Sequence, residues 1–335
     1  MAKEIIQEVQ GSEKEKFSKT IVRALKGEYG ANITLLLTLI VTTFVFSMLA
    51  PNFFKLNNML NIARSIAITG VVAIGETFVI IAGGIDLSVT AIMAAAGMAA
   101  AVALRAGVPL WVGVVIAIAV GAAVGLINGL IVTKIRINPF ITTLGTSQIV
   151  RGLAYISSAG HTLTVPVEGF SILGRGRWLD IIPYPVFILI GFFIIAHFFL
   201  SKTLAGRYIY AIGGNSEACR LAGINVDRWR LIFYSVCGVT AGFAGYMLAS
   251  LVGSAQGNAA LGAEMNVISG VILGGASLAG GEGTISGSFL GILLLGTLTN
   301  GLIQLNVPSF WQMVASGTVL MLSLFIDSWR SGGYK

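Results

Sequence analysis

Charge is what this sequence has least of. Only 10% of its 335 residues are Asp, Glu, Lys or Arg, against about 25% in soluble domains, and the mean hydropathy is +0.88. A water-soluble fold is thereby excluded for most of the chain. Two cysteines, Cys219 and Cys237, are too few for a disulfide framework or a four-ligand zinc site. His161 and His197 stand apart from each other and from any Asp, Glu or Cys at ligand spacing, so no metal site and no cofactor are expected. No H-E-x-x-H, no G-x-x-x-x-G-K-[ST] and no Ser/His/Asp constellation is readable. Any ATP-driven process involving this chain therefore needs its ATPase on another chain. The formal charge of +7 sits in short loops between apolar runs, where it orients a membrane protein and does not point to nucleic acid.

What is abundant is apolar surface, 56% of the residues. A helical span needs roughly 20 mainly apolar residues. Runs of that character lie near 33–50, 66–82, 88–104, 110–133, 140–158, 185–200, 231–251, 264–275, 285–305 and 309–327. The expected fold class is all-α, a polytopic membrane bundle of about ten transmembrane helices. The first run exceeds the core of a signal peptide, about 7–15 residues, and reads as an uncleaved span. Residues 1–31 form a polar tail, and 32–330 a single transmembrane domain. Lys55 to Arg64 places Leu56, Met59, Leu60 and Ala63 at helical spacing, which reads as a short interfacial helix.

Ten spans put both termini on one side. That side then holds fifteen Lys and Arg against four on the other, with Arg64 and Arg151 at or within spans. The positive-inside rule places both ends in the cytoplasm. The charge-balanced segment 159–184 becomes the longest external loop.

Glycine is the second excess, 43 residues, nearly double the usual share of about 7%. Gly121, Gly125 and Gly129 recur at four-residue spacing, as do Gly238 and Gly242, and Gly287 and Gly291. Such strips let helix backbones approach closely in lipid, either within the chain or between copies. Two further glycine-broken stretches, 79–88 and 271–283, occupy corresponding places in the two halves. They suggest a degenerate internal repeat with broken helices along a transport path.

Polar residues inside the apolar runs supply the site candidates. Asp86, after a glycine pair and before a helix, fits a buried N-cap; Asp86 and Ser88 also fit a pathway that contacts solute hydroxyls. Glu76 is an intramembrane acid whose expected partner is Arg151, as a buried charge pair; pathway and proton-coupling roles remain open for it. Asn138-Pro139-Phe140 marks a helix start. Thr142, Thr143, Thr146, Ser147 and Gln148 then make a helix polar enough to line a path, so Asn138, Phe140 and Thr143 join the pathway candidates. In the cytoplasmic segment at about 202–230, Gly213-Gly214-Asn215 reads as a turn and Ser216 as an N-cap. Glu217 to Leu221 reads as a short helix ending at Gly223. Asn215, Ser216, Glu217, Arg220, Leu221, Gly223 and Ile224 would together form a rigid docking surface.

At this level of detail the chain resembles the permease subunits of bacterial ABC importers for ribose and other simple sugars, the branch that also handles xylose, arabinose, galactose and autoinducer-2. The motifs are GETFVIIAGGIDLS at 75–88, NPFITTLG at 138–145, RGLA at 151–154, YAIGGN at 210–215 with AGI at 222–224, and GGASLAGGEG at 274–283. The resemblance covers nearly everything from about residue 33. It implies a permease domain over 32–330 in the bacterial inner membrane, and a transport subunit with no catalysis of its own. It also implies two cytoplasmic ATPase chains, a periplasmic or lipid-anchored sugar-binding protein, and a second permease subunit, a homodimer before a heterodimer. By the same resemblance the loop from Ser216 to Ile224 matches a coupling helix seated on the ATPase, and Asn138-Pro139-Phe140 lies near the cytoplasmic gate. A neutral residue is common in the family where this chain has Glu76. An ion-coupled secondary transporter and an ABC permease for branched-chain amino acids are the rival expectations.

Overall fold

The computed structural model describes residues 30–331, and within them every one of the ten apolar runs is helical. The expected tail at 1–31 lies outside the described residues save for its last two. In chain order the helices are α1 (Gly30–Leu49), α2 (Leu56–Ile81), α3 (Val89–Arg105), α4 (Leu110–Leu130), α5 (Pro139–Ile156), the one-turn α6 (Ile172–Arg175) and α7 (Tyr184–Lys202). There follow α8 (Leu204–Gly214), α9 (Ser216–Leu221), α10 (Val226–Val252), α11 (Ala263–Leu273), α12 (Ile285–Gln304) and α13 (Ser309–Ser331). Two small antiparallel pairs join loops: β1 (Leu163–Thr164) with β4 (Ser254–Ala255), and β2 (Arg177–Trp178) with β3 (Ile182–Pro183).

Six segments among the described residues are long and apolar enough to cross a membrane: Asn32–Leu49, Leu56–Ile81, Leu110–Ile135, Tyr184–Lys202, Val226–Val252 and Ile285–Gln304. Val89–Arg105, Ala263–Leu273 and Ser309–Phe325 are apolar but shorter. The molecule is thus an all-α membrane bundle. Two of the shorter helices, α3 and α11, abut the glycine-broken stretches, so their brevity follows from the breaks.

Side-chain caps set several helix starts. Pro139 stands at the first helical position, as expected, and Asn138 caps the helix by accepting from the Phe140 amide at 2.9 Å. Thr203, Asn225 and Thr284 open α8, α10 and α12 in the same way. Three local expectations change. The stretch 55–64 is not a separate interfacial helix; from Leu56 it forms the first turns of the continuous 26-residue α2. Gly213 and Gly214 are not a turn but the last residues of α8. Asn215, not Ser216, caps α9, accepting from the Ala218 amide at 2.9 Å.

The core is built around α10, which packs on α2, α3 and α4, while α12 packs on α1, α2 and α11. Glycines allow close helix crossings. At α4 and α10, a methyl group on Gly121 or Gly238 would overlap the other's carbonyl oxygen. At α11 and α12 a methyl group on Gly291 would overlap the Gly270 carbonyl oxygen, and one on Gly287 that of Gly274. The glycine strips therefore serve packing within the chain. Outward faces of α1, α5 and α7 leave side chains such as Leu37, Phe44, Ile149, Ile156, Ile195 and Phe198 exposed, the composition expected of surface in contact with hydrocarbon.

Candidate functional site

The two glycine-broken stretches meet beside the end of α8. After α2 ends at Ile81, Gly83 takes φ +76 and the chain turns into α3; after α11, Gly280 and Gly281 take φ +85 and +78. The Gly281 amide donates to the Ile81 carbonyl at 2.8 Å, and the Tyr210 hydroxyl donates to the Gly283 carbonyl at 2.8 Å. Gly213 of α8 is wedged between them, where a methyl group would overlap the Ile81 oxygen. Unwound backbone of one half thus satisfies part of the other's hydrogen bonding, so it is buried against protein.

Glu76, Asp86 and Ser88 surround the first break and are fully buried. The Asp86 amide donates to Glu76 Oε1 at 3.0 Å, and the Cys237 thiol lies 3.6 Å from Glu76 Oε2. Asp86 Oδ1 accepts from the Ser88 amide at 2.8 Å and from the Ser88 hydroxyl. It thereby closes a turn just ahead of α3 and takes no amide within the helix, a smaller role than a full N-cap. Asn128 of α4 donates to Ser88 Oγ at 2.9 Å and reaches Asp86 at 3.4 and 3.5 Å. Thr143 is buried on α5, bonded to the Pro139 carbonyl at 2.9 Å and facing the Ile85 carbonyl at 3.4 Å. Asn138 and Phe140 lie apart from this cluster, on the exposed start of α5, with Phe140 half exposed.

The expected ion pair between Glu76 and Arg151 is not formed. Arg151 Nη1 donates to the Gly257 and Ala259 carbonyls at 3.1 and 3.3 Å, and Nη2 to Thr90 Oγ1 at 3.1 Å. Thr90 in turn donates to Glu264 Oε2 at 2.6 Å. The guanidinium therefore ties α5 to α3, to the 254–262 loop and, through Thr90, to the start of α11. Glu76 instead accepts from the Asp86 amide at the break and faces the Cys237 thiol of α10.

Three cavities adjoin one another along α2, α3, α10, α11 and α12, with volumes of about 270, 390 and 440 Å³. Met93, Leu248 and Ala260 are common to the first two, and Asn61, Ser65, Thr69 and Ala263 to the second and third. None of Glu76, Asp86, Ser88, Asn138, Phe140 or Thr143 lines these three cavities. The residues that do were not singled out from the sequence. Their signal was present as the polar series Asn58, Asn61, Ser65, Thr69 at helical spacing, within and just past a stretch read as interfacial. The lining of the largest cavity includes an amide cluster, where Asn58 and Asn300 exchange hydrogen bonds at 2.9 Å and Gln304 donates to Asn58.

At the end of the bundle that carries the α7–α8 and α9–α10 connections, Cys219 of α9 is buried with Ile212 and Val226 on a small core that also takes Ile224. Leu221 is left 91% exposed. Arg220 bonds to Glu217 at 3.3 Å and to Asp227 at 3.1 Å, and Asp227 reaches Lys134 at 3.6 Å. Gly223 takes φ +82 and turns the chain toward Asn225. Asp227 and Lys134, which link α9 to the π-helical turn Ile131–Ile135 after α4, were not anticipated; their separation by 93 positions hides the contact.

A protein-family model described as branched-chain amino acid transport system / permease component matches residues 58–324. The ribose import permease protein RbsC of Escherichia coli strain K12 is 41% identical over 297 residues, which cover 88% of this chain and 92% of that protein. The ribose import permease protein RbsC of Bacillus subtilis has the same identity and coverage. The L-arabinose transport system permease protein AraH of Escherichia coli strain K12 is 40% identical over 280 residues, 84% of this chain and 85% of that protein. No solved structure matches the chain.

Proposed function

The chain belongs to the permease-component family that its residues 58–324 match, and from that premise we propose that it carries a monosaccharide into the cytoplasm as the membrane subunit of an ATP-driven importer. It is a transport subunit, and ATP hydrolysis belongs to a separate ABC ATPase chain. Relatives named for ribose and L-arabinose import support a pentose or similar sugar as solute. Membership in this family removes the ion-coupled reading.

The observation that carries the proposal is the meeting of two interrupted helices at the Ile81–Gly281 hydrogen bond, a place where one half of the bundle is able to rock against the other. Ten spans with both termini cytoplasmic follow the Lys and Arg count. A homodimer, two ATPase chains and an external sugar-binding protein complete the assembly. Asn215 to Ile224 forms the ATPase contact: α9 is held rigid by its buried Cys219 and its Arg220 ion pairs, and Leu221 is presented outward. The 159–184 loop, braced by the β1–β4 and β2–β3 pairs, faces the binding protein. Glu76, Asp86, Ser88 and Thr143 hold the break beside the path, while Asn138 and Phe140 stand at its cytoplasmic mouth.

The test is reconstitution of the complete importer in proteoliposomes with all ion gradients collapsed. Uptake of D-ribose or L-arabinose should require ATP, and deleting Ser216 to Gly223 should abolish sugar-stimulated ATP hydrolysis. Uptake that persists without ATP, or stimulation that survives the deletion, refutes the assignment.

A further inference from the structure

The cavity between α2, α11 and α12 points, we infer, to a binding station within the permease for an uncharged polyhydroxyl solute, a pentose or hexose. The inference deepens the transport reading above and rests on it. At about 440 Å³ the cavity falls in the range of about 300–1,000 Å³ typical of small-molecule sites. One wall is a stripe of α2, where Asn61, Ser65 and Thr69 recur every fourth residue; opposite stand Asn266 of α11 and Thr299 of α12. No charged side chain lines it. Polar side chains at this density are expensive against hydrocarbon and face protein or water instead.

The lining selects between solute classes. An amino acid carries a carboxylate and an ammonium, and burying either unpaired costs far more than burying a hydroxyl. A wall of amides and hydroxyls supplies neither countercharge; the nearest cation, Arg64, lines the adjoining cavity and donates to Asn61 Oδ1 at 3.3 Å, and no anion lines either cavity for an ammonium. It does supply donors and acceptors for neutral hydroxyls, and Ile292 and Leu295 beside Gly296 give an apolar strip for the C–H face of a sugar ring. Asn58, Asn300 and Gln304, also on its lining, bond to one another and add no charge. Among the described residues no comparable side-chain network is formed by Ser65, Asn266 and Thr299, so their polar groups are left for a guest.

The complete importer in proteoliposomes, supplied with ATP, provides the test, with radiolabelled D-ribose, L-arabinose and L-leucine as probes. The paired substitution Asn61→Leu with Thr299→Val removes two hydrogen-bonding groups and should lower sugar uptake about tenfold. Asn61→Gln with Thr299→Ser should recover most of it. Because the apolar pair endangers assembly, Ser65→Cys gives a second reading: a hydrophilic maleimide should modify it, and ribose or arabinose, but not leucine, should slow that modification. Full uptake by an assembled apolar variant overturns the site while leaving the transport function standing, as does modification indifferent to sugar. A Ser65→Cys that cross-links two copies assigns this face to a subunit interface and overturns it too. A wild-type importer that moves neither sugar overturns the function and the site together.

Discussion

Glu76 illustrates what a buried acid does when its expected countercharge is elsewhere. Its two oxygens meet the Asp86 amide and the Cys237 thiol, so the position requires an acceptor beside the broken helix more than a negative charge. Glu76→Gln keeps an amide oxygen for Asp86 and should preserve folded yield in detergent. Glu76→Leu leaves that amide unpaired and should cost about 1–3 kcal/mol, read as a lower midpoint of thermal unfolding. Exchanging the charges, Glu76→Arg with Arg151→Glu, should not rescue either single variant. A glutamate at 151 would face the Gly257 and Ala259 carbonyls, acceptor against acceptor. Restored yield in the exchanged protein would reinstate the direct pair.

At the scale of elements, the glycine strips make a sharper distinction than composition does. Gly238 lies where α10 touches the α4 backbone, and Gly152 lies on α5 with nothing within 4 Å of an added methyl group. Gly238→Ala must push two helices apart, and overpacking of this kind costs about 1–3 kcal/mol. Gly152→Ala meets no obstacle and gains about 0.5–1 kcal/mol of helix preference. The two midpoints of thermal unfolding should therefore move in opposite directions; a common shift would mean that the α4–α10 crossing is not where the strips act. Helix positions, the Pro139 helix start and the small-residue strips were legible in the sequence because each depends on neighbours within a few residues. Gly213-Gly214 was misread because a glycine pair usually breaks a helix. Here Gly213 exists for the close passage of Ile81 and Gly281, a contact that only the folded chain creates. Asn215 and Ser216 are both good caps, and only the extended backbone at Asn215, φ −158 and ψ 96, chooses between them. The partners of Arg151 and the cavity opposite the α2 stripe were hidden for the same reason: they join helices far apart in sequence.

For the whole molecule, two independent features separate the ends of the bundle. The ion pairs from Lys134 through Asp227 to Arg220 draw the end of α4 and the α9 segment to one end. The β1–β4 pair and the hydrogen bonds from Arg175 to Leu251 and Val252 draw the 159–184 loop and the end of α10 to the other. The proposed topology makes the first of these ends cytoplasmic, where α9 would meet an ATP-hydrolysing chain. Glu168 and Glu217 are exposed, one toward each end, and the native Cys219 and Cys237 are buried, which leaves little background for thiol labelling. A membrane-impermeant maleimide should therefore label Glu168→Cys from outside the intact inner membrane and reach Glu217→Cys only after permeabilisation. The reverse pattern would turn the bundle over. It would leave α9 facing away from ATP and remove it from the coupling role, whatever the deletion of Ser216 to Gly223 did to transport.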